Sequence, residues 1–276
     1  MKISHKIRSV NKAQLEHLYG VYNARKWVHP DPLEFLYAYP NLLDREVVGL
    51  IASSLAYGRV TQILKSVSGV LKKMGPSPRR FLQDSTPTSL RTAFGNFKHR
   101  FTGGEDLVMM LLGIKGVIEQ YGSIYSCFLS GVNQGDRTIL PALSFLVKEL
   151  STPLNNGCNT LLPLPEKGSA CKRLNLFLRW MVREDHVDPG GWHRVSPNQL
   201  IVPLDTHMHR ICVRLNMTSR KNADMCTALE ITRGFGKMAP TDPVRYDFAL
   251  TRLGIRKDAD LGQLFEESWR FLNMES

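Results

Sequence analysis

No stretch of the 276-residue sequence approaches the ~20 consecutive apolar residues that cross a bilayer. The longest apolar runs, 47–56 and 107–114, reach about half that length or less, which excludes an integral membrane protein of the helical kind. The first ten residues are basic and lead into the polar stretch 11–16 instead of an apolar core, so no secretory signal and a cytoplasmic location are expected. Cysteine is sparse. Cys127, Cys158, Cys171, Cys212 and Cys226 are odd in number and widely spaced, and no Cys-x-x-Cys occurs. That pattern excludes a disulfide framework, a cysteine zinc site and an iron–sulfur cluster, each of which needs close thiolates. Acidic residues are also outnumbered, 25 Asp and Glu against 36 Lys and Arg, for a net charge of +11 and a pI near 9.6.

A basic balance of this size favours polyanions, nucleic acid first and a membrane surface second. With 43% hydrophobic and 22% charged residues, the composition is that of a globular chain with enough material for a core. At 276 residues it forms one large domain or two small ones. Apolar residues recur at three and four positions along nearly every long segment, the period of helices, so the expected class is all-α. Asp44 is placed as N-cap of a helix carrying Val47, Ile51 and Leu55. Gly58 interrupts that helix before Val60, Ile63, Leu64, Val67 and Leu71 resume the pattern, and Gly75-Pro76-Ser77-Pro78 stops it. Further helices are expected over 107–121 and 139–150. The Pro- and Asn-rich stretch 151–168 shows no period and is the best internal boundary. The expected architecture is two helical subdomains with a cleft between them, one spanning 44–150 and the other 1–43 plus 160–276.

The second half carries the chemistry-bearing residues. Over 171–183, Leu174, Phe177, Leu178, Met181 and Val182 form an apolar stripe, and Trp180 with Met181 reads as core packing. Lys172, Arg179 and Arg183 fall together on the opposite side at ~100° per residue. Asp205 is the natural cap of a helix with Met208, Ile211, Cys212 and Leu215 inside and His207, Arg210 and Arg214 outside. Asp242-Pro243 reads as the start of a last helix and Gly254 as its stop. Taken alone, a lysine on a helix face serves solubility and a capping aspartate serves stability. Trp192, in a turn-rich loop after Asp188-Pro189-Gly190-Gly191, either lines a base pocket or covers the core.

The run Val202-Pro203-Leu204-Asp205-Thr206-His207-Met208-His209-Arg210-Ile211, followed by Arg214-Leu215, resembles the Val-Asp-Thr-His-Val-x-Arg-Val-x-x-Arg-Leu signature of the helix-hairpin-helix DNA glycosylases, the endonuclease III superfamily. Leu164-Pro165-Glu166-Lys167-Gly168-Ser169-Ala170 stands where that family has a hairpin, with Glu166 in place of a turn glycine. Lys172 lies 33 positions before Asp205, a spacing similar to that of the archaeal 8-oxoguanine glycosylase branch. The segment 50–59 with Gln62 resembles the early helix whose end enters the base stack. The segment 243–254 resembles a late helix whose Asp contacts the flipped base, although Thr251 replaces that branch's aromatic residue. Most of the chain also resembles an uncharacterised bacterial family marked by Asp-Arg-Glu-Val-Val-Gly-Leu-Ile, by Ala-Cys-Lys-Arg-Leu-Asn-Leu-Phe-Leu-Arg-Trp-Met-Val-Arg and by Pro-Leu-Asp-Thr-His.

The glycosylase resemblance implies an all-α DNA glycosylase with lyase activity, excising a damaged base such as 8-oxoguanine, cofactor-free, monomeric and nucleoid-associated. Lys172 would be the nucleophile, with Lys167 as the other candidate, and Asp205 the assisting carboxylate. A carboxylate beside the sugar stabilises an oxocarbenium-like transition state, and an amine that attacks C1′ forms a Schiff base. Asp247, Leu176 and Trp192 are the candidate base-binding residues. Arg59 or Gln62 would fill the gap left by the flipped base or simply face solvent. Gly168, Ser169, Arg173, Arg179, Thr206, His207 and Arg210 are the remaining candidate DNA contacts, the amides near Gly168 and Thr206 holding phosphates. The rival reading is a non-catalytic DNA- or RNA-binding protein on the same fold. A metal-dependent hydrolase would rest on His207 and His209, but side chains two apart on a helix point about 200° apart and cannot share one ion.

Overall fold

The computed structural model describes residues 10–154 and 159–255. Residues 1–9, the Asn-Asn-Gly sequence at 155–157, Cys158 and residues after 255 lie outside that set. Among the described residues the chain is all-α apart from one small hairpin. In order come α1 (Lys12–Tyr22), α2 (Leu42–Ser54), α3 (Val60–Met74), α4 (Pro78–Asp84) and α5 (Pro87–Phe94). The hairpin strands β1 (Lys98–His99) and β2 (Thr102–Gly103) follow, then α6 (Gly104–Tyr121), α7 (Ile124–Ser130) and α8 (Leu140–Leu150). The last four are α9 (Lys172–Val182), α10 (Thr206–Arg214), α11 (Met225–Gly236) and α12 (Asp247–Ile255).

The local chemistry of the sequence sets most boundaries. Asn11 and Gln14 cap α1 reciprocally, each side chain bonded to the other's backbone N–H. The α2 cap is Asn41, not Asp44: its side chain accepts from the Leu43 and Asp44 amides, because the helix begins earlier than the apolar period suggests. Asp44 instead accepts from Ser77 Oγ and the Arg79 amide, both at 2.9 Å, tying the first turn of α2 to the start of α4. Gly58, at φ +97°, breaks the chain between α2 and α3 as expected. The last helix departs from expectation at both ends. Residues 243–246 are turns, Asp242 is drawn away to pair with Arg183, and Gly254 continues α12 instead of ending it. Glycine inside a helix costs only about 1 kcal/mol and is tolerated.

One continuous hydrophobic cluster runs through both halves of the chain. The helix α2 packs against α9 and against the 3-10 turn Pro32–Ala38, while α6 lies on α5, α7 and α8, and α12 rests on α1 and α10. The contact between α2 and α9 is close enough that a Cβ on Gly49 would sit 3.3 Å from the Phe177 ring. The α9 stripe of Leu174, Phe177, Leu178, Met181 and Val182 is buried, as is Trp180. No single described helix is long and apolar enough to cross a membrane.

Candidate active site

A cavity of about 360 Å³ opens where five segments meet. Ala56, Val60 and Ile63 come from the α2–α3 junction, Pro30, Asp31 and Pro32 from the early loop, and Lys172, Leu176 and Arg179 from α9. Pro203, Asp205, His207 and Met208 come from the start of α10, and Asp247, Phe248, Thr251 and Arg252 from α12. Nine of these side chains are apolar and eight are polar or charged, so apolar walls surround a cluster of convergent polar groups, a make-up that suits a small-molecule or base pocket.

Asp205 does two things at once. Its Oδ1 accepts from the His207 and Met208 amides, both at 2.9 Å, which caps α10. Its Oδ2 is thereby left for Lys172, whose Nζ stands 3.5 Å away. The two side chains are 40% and 29% exposed, so both reach the solvent side of the pocket. Lys172 is the first residue of α9, and Cys171 before it adopts φ +47°, a conformation that L-residues with a side chain seldom take. Residues held this way cluster at functional sites.

At the pocket floor, Asp247 is 4% exposed. One carboxylate oxygen pairs with Arg179, and Oδ1 has no hydrogen-bond partner. Burial raises its pKa, against the pull of Arg179. His207 Nε2 and Arg252 Nε are likewise buried without partners. Orphan polar atoms carry a desolvation cost, and three of them around one cavity mark it as a place where more than packing is at stake. Arg252 pairs with Asp31, whose other oxygen caps the Pro32–Ala38 turn. Thr251 donates its hydroxyl to the Asp247 carbonyl at 2.8 Å.

The structure therefore brings Lys172, Leu176, Arg179, Asp205, His207 and Asp247 to one cavity and places other candidates elsewhere. Trp192 is fully buried. It is stacked on Tyr125 at 5.0 Å and set edge-on to Phe177 at 5.2 Å, so it is part of the core and is not among the residues lining this cavity. Arg179 lines the cavity but is 3% exposed and held between Asp188 and Asp247, so its guanidinium is engaged within the protein. Its charge is kept on by those aspartates despite burial. Arg183 is likewise enclosed by Asp185, Asp188 and Asp242. The expected basic face of α9 is thus an internal ion network with its charges answered. Arg173 is also structural: its guanidinium donates to the carbonyls of Ser54 and Thr160 and lies 5.0 Å over the Tyr57 ring.

Gly168, in the left-handed region at φ +80°, ends a 3-10 turn over Pro165–Lys167. Its carbonyl accepts from the Met225 amide, and Ser169 pairs with Asp224. The Lys167 and Gly168 amides bond back into their own turn, and two amides of α10 serve Asp205, so none of these four is available to a phosphate. Lys167 is not among the pocket-lining residues. Arg59, Thr206 and Arg210 are exposed, and Gln62, also exposed, donates to Ser66 Oγ at 3.2 Å. His209 turns to the Arg220 carbonyl at 2.9 Å, away from His207. Among the described residues no group of three or more His, Cys, Asp or Glu is placed to hold a metal ion. The sequence reading missed Asp31, Phe248 and Arg252. The capping pattern Asp31-Pro32 was the available signal for the first; the others show only as an apolar and a basic residue one turn apart.

The fold and the site define a helical protein with a lysine–aspartate pair at the mouth of an apolar-walled pocket. Residues 31–256 match the family described as Protein of unknown function (DUF2400), and the chain belongs to it. No curated protein and no solved structure matches it.

Proposed function

We propose that this protein is a DNA glycosylase with lyase activity that excises a damaged base through Lys172 and Asp205. The observation that carries the reading is the 3.5 Å approach of Lys172 Nζ to Asp205 Oδ2 at a pocket of about 360 Å³. The local wording around Asp205 and the net charge of +11 support DNA as the substrate.

In this reading the flipped nucleotide enters with its base toward Asp247 and Leu176 and its sugar toward the pair at the mouth. The bond from C1′ to the base breaks with its electron pair leaving on the base, which takes up a proton. Asp205 Oδ2 stabilises the positive charge that develops on the sugar. The Lys172 amine attacks C1′ and gives up a proton to Asp205. Opening of the sugar ring then yields the imine, and loss of a C2′ proton forms a C2′–C3′ double bond and expels the 3′ phosphate, which cleaves the strand. Asp205 is held for this task by the two amides that fix its Oδ1.

Borohydride reduction traps such an imine as a covalent protein–DNA adduct. The expected result is a lesion-dependent adduct on a duplex carrying 8-oxoguanine, uracil, thymine glycol or an abasic site, lost in Lys172→Gln while DNA binding persists. An adduct that survives in Lys172→Gln moves the nucleophile to another lysine, Lys167 first. No adduct on any duplex, with salt-sensitive binding intact, removes the lysine chemistry and leaves a monofunctional glycosylase or a non-catalytic nucleic-acid reader, which base release without an adduct tells apart.

A further inference from the structure

Phe101 is 81% exposed, nearly twice as open as any other exposed large hydrophobic side chain among the described residues. It sits with Arg100 in the two-residue turn of the β1–β2 hairpin, whose register pairs His99 with Thr102. The exposure does not come from a loose loop. The ring of His99 is 1% exposed and bonds Ser66 Oγ at 2.9 Å through Nδ1 and the Tyr57 carbonyl at 3.0 Å through Nε2. The Tyr57 hydroxyl donates to the His99 carbonyl at 2.9 Å and stands 2.6 Å from Thr102 Oγ1. Both strands are thus bolted to the α2–α3 junction, and the tip projects an apolar ring into solvent from a rigid base. Arg100 takes φ +52°, a costly conformation for a residue with a side chain, and this places its guanidinium 5.2 Å over the Phe101 ring.

Two observations say what this tip meets. Its surroundings are basic: Lys98 and Arg100 are exposed, while the acids that follow are engaged, Glu105 with Arg91 and Asp106 with the Gly103 amide. It also adjoins the pocket. The Arg100 side chain lies on Gly58, where a Cβ would come within 2.6 Å of it, and Gly58 stands between the pocket-lining residues Ala56 and Val60. A rigid aromatic face combined with guanidinium and ammonium groups is the chemistry that stacks a nucleobase and grips its phosphates.

We propose that Phe101 and Arg100 form a stacking site for an unpaired nucleobase of the nucleic acid whose reacting nucleotide occupies the pocket. The inference rests on the nucleic-acid reading above and not on the lysine chemistry. Its test is equilibrium binding of the full chain to DNA oligonucleotides carrying one unpaired 2-aminopurine, whose fluorescence is quenched on stacking, at several salt concentrations. Phe101→Ala should weaken binding roughly tenfold and abolish the quenching, with an unchanged salt slope, and Phe101→Tyr should retain both. Arg100→Ala should flatten the salt slope by about one counterion.

Wild-type affinity and quenching in Phe101→Ala overturn the stacking site while leaving DNA as the partner. No binding of any oligonucleotide by the wild type overturns both this site and the glycosylase reading. Sedimentation that shows a wild-type dimer and a Phe101→Ala monomer with equal DNA affinity makes the ring a contact between copies instead. Quenching without a borohydride adduct sinks the Lys172 chemistry and leaves the stacking site standing.

Discussion

Lys172, in the first turn of α9, is 29% exposed and stands 3.5 Å from a half-exposed aspartate. Arg183, just beyond the last turn, is 4% exposed and touches three aspartates, one of which it shares with Arg179. Helical period puts all three cations on one side, yet the protein uses the two ends of that side in opposite ways. At the far end both guanidiniums are almost fully buried and answered by aspartates, so the charges are fixed and hold α9 to the 185–188 loop and to the start of α12. At the near end the pairing is long, partial and open to solvent, so the amine keeps the freedom to meet something else. Attraction is strong where the surroundings cannot reorganise and weak where solvent can enter. A reactive group belongs at the second kind of place, held by the rigidity of the first.

The comparison breaks most sharply at Arg183. Arg183→Met removes the cation shared by Asp185, Asp188 and Asp242, leaving the partly exposed Asp185 and Asp242 without a bridging guanidinium and the buried Asp188 with Arg179 alone. Removing one partner from a buried pair costs about 3–5 kcal/mol. Urea denaturation should show a loss of that order. A change below about 1 kcal/mol, the range of exposed pairs, would mean that the network is no stronger than the open pair at Lys172.

Glu46 sharpens the contrast by showing a buried carboxylate with no cation bonded to it. It lies within α2 at 0% exposure and accepts from the Ile124 and Tyr125 amides at 2.8 and 3.1 Å. Burial pushes its pKa from an ordinary 4.5 to about 7, although both amides pull it down. The folded chain therefore holds a proton here that the unfolded chain has lost between those two values. Stability from this group is fully present below about 4.5 and is lost as pH rises through 7. At ~1.4 kcal/mol per unit, the ceiling on that loss is about 3 kcal/mol. Glu46→Gln should flatten this part of the urea-midpoint profile between pH 5 and 8. Parallel wild-type and variant profiles would show that Glu46 stays ionised as a cap for α7 throughout.

The same contrast explains what the sequence made legible. Helices follow from local rules, and the Gly58 break, the α9 stripe and the Asp205 cap all stand where period and capping chemistry put them. Lys172, Asp205, Asp247 and Leu176 meet in one pocket, although their spacing shows no reason for it without the fold. What period cannot tell is environment. It gives Arg179 and Arg183 an angle around α9 but says nothing of the aspartates that arrive from the 185–188 loop, from Asp242 and from the first residue of α12 to bury them. Asn41 and Asp44 are both good caps, and only the earlier start of α2 decides between them. Asp242 has the wording of a cap, but Arg183 claims it. Trp192 lies in a loop of turn residues, and only the Tyr125 and Phe177 rings waiting beneath that loop make it core.

The smallest expected effect falls on the pair that matters most for the proposed chemistry. Lys172→Gln removes a half-exposed ion pair, worth about 0–1 kcal/mol. Asp205→Asn leaves a side-chain oxygen to accept from the His207 and Met208 amides, so the α10 cap survives and the chain should unfold within a few tenths of a kcal/mol of wild type. Asp205→Ala loses the cap and should fall by about 1 kcal/mol. Urea unfolding of the three variants beside the borohydride assay then separates structure from chemistry. Loss of the adduct in Lys172→Gln and Asp205→Asn, at stability close to wild type, can only be a loss of function at the site. A several-kcal/mol drop in either would place Lys172 and Asp205 with Arg183, as parts of the frame that holds the pocket together.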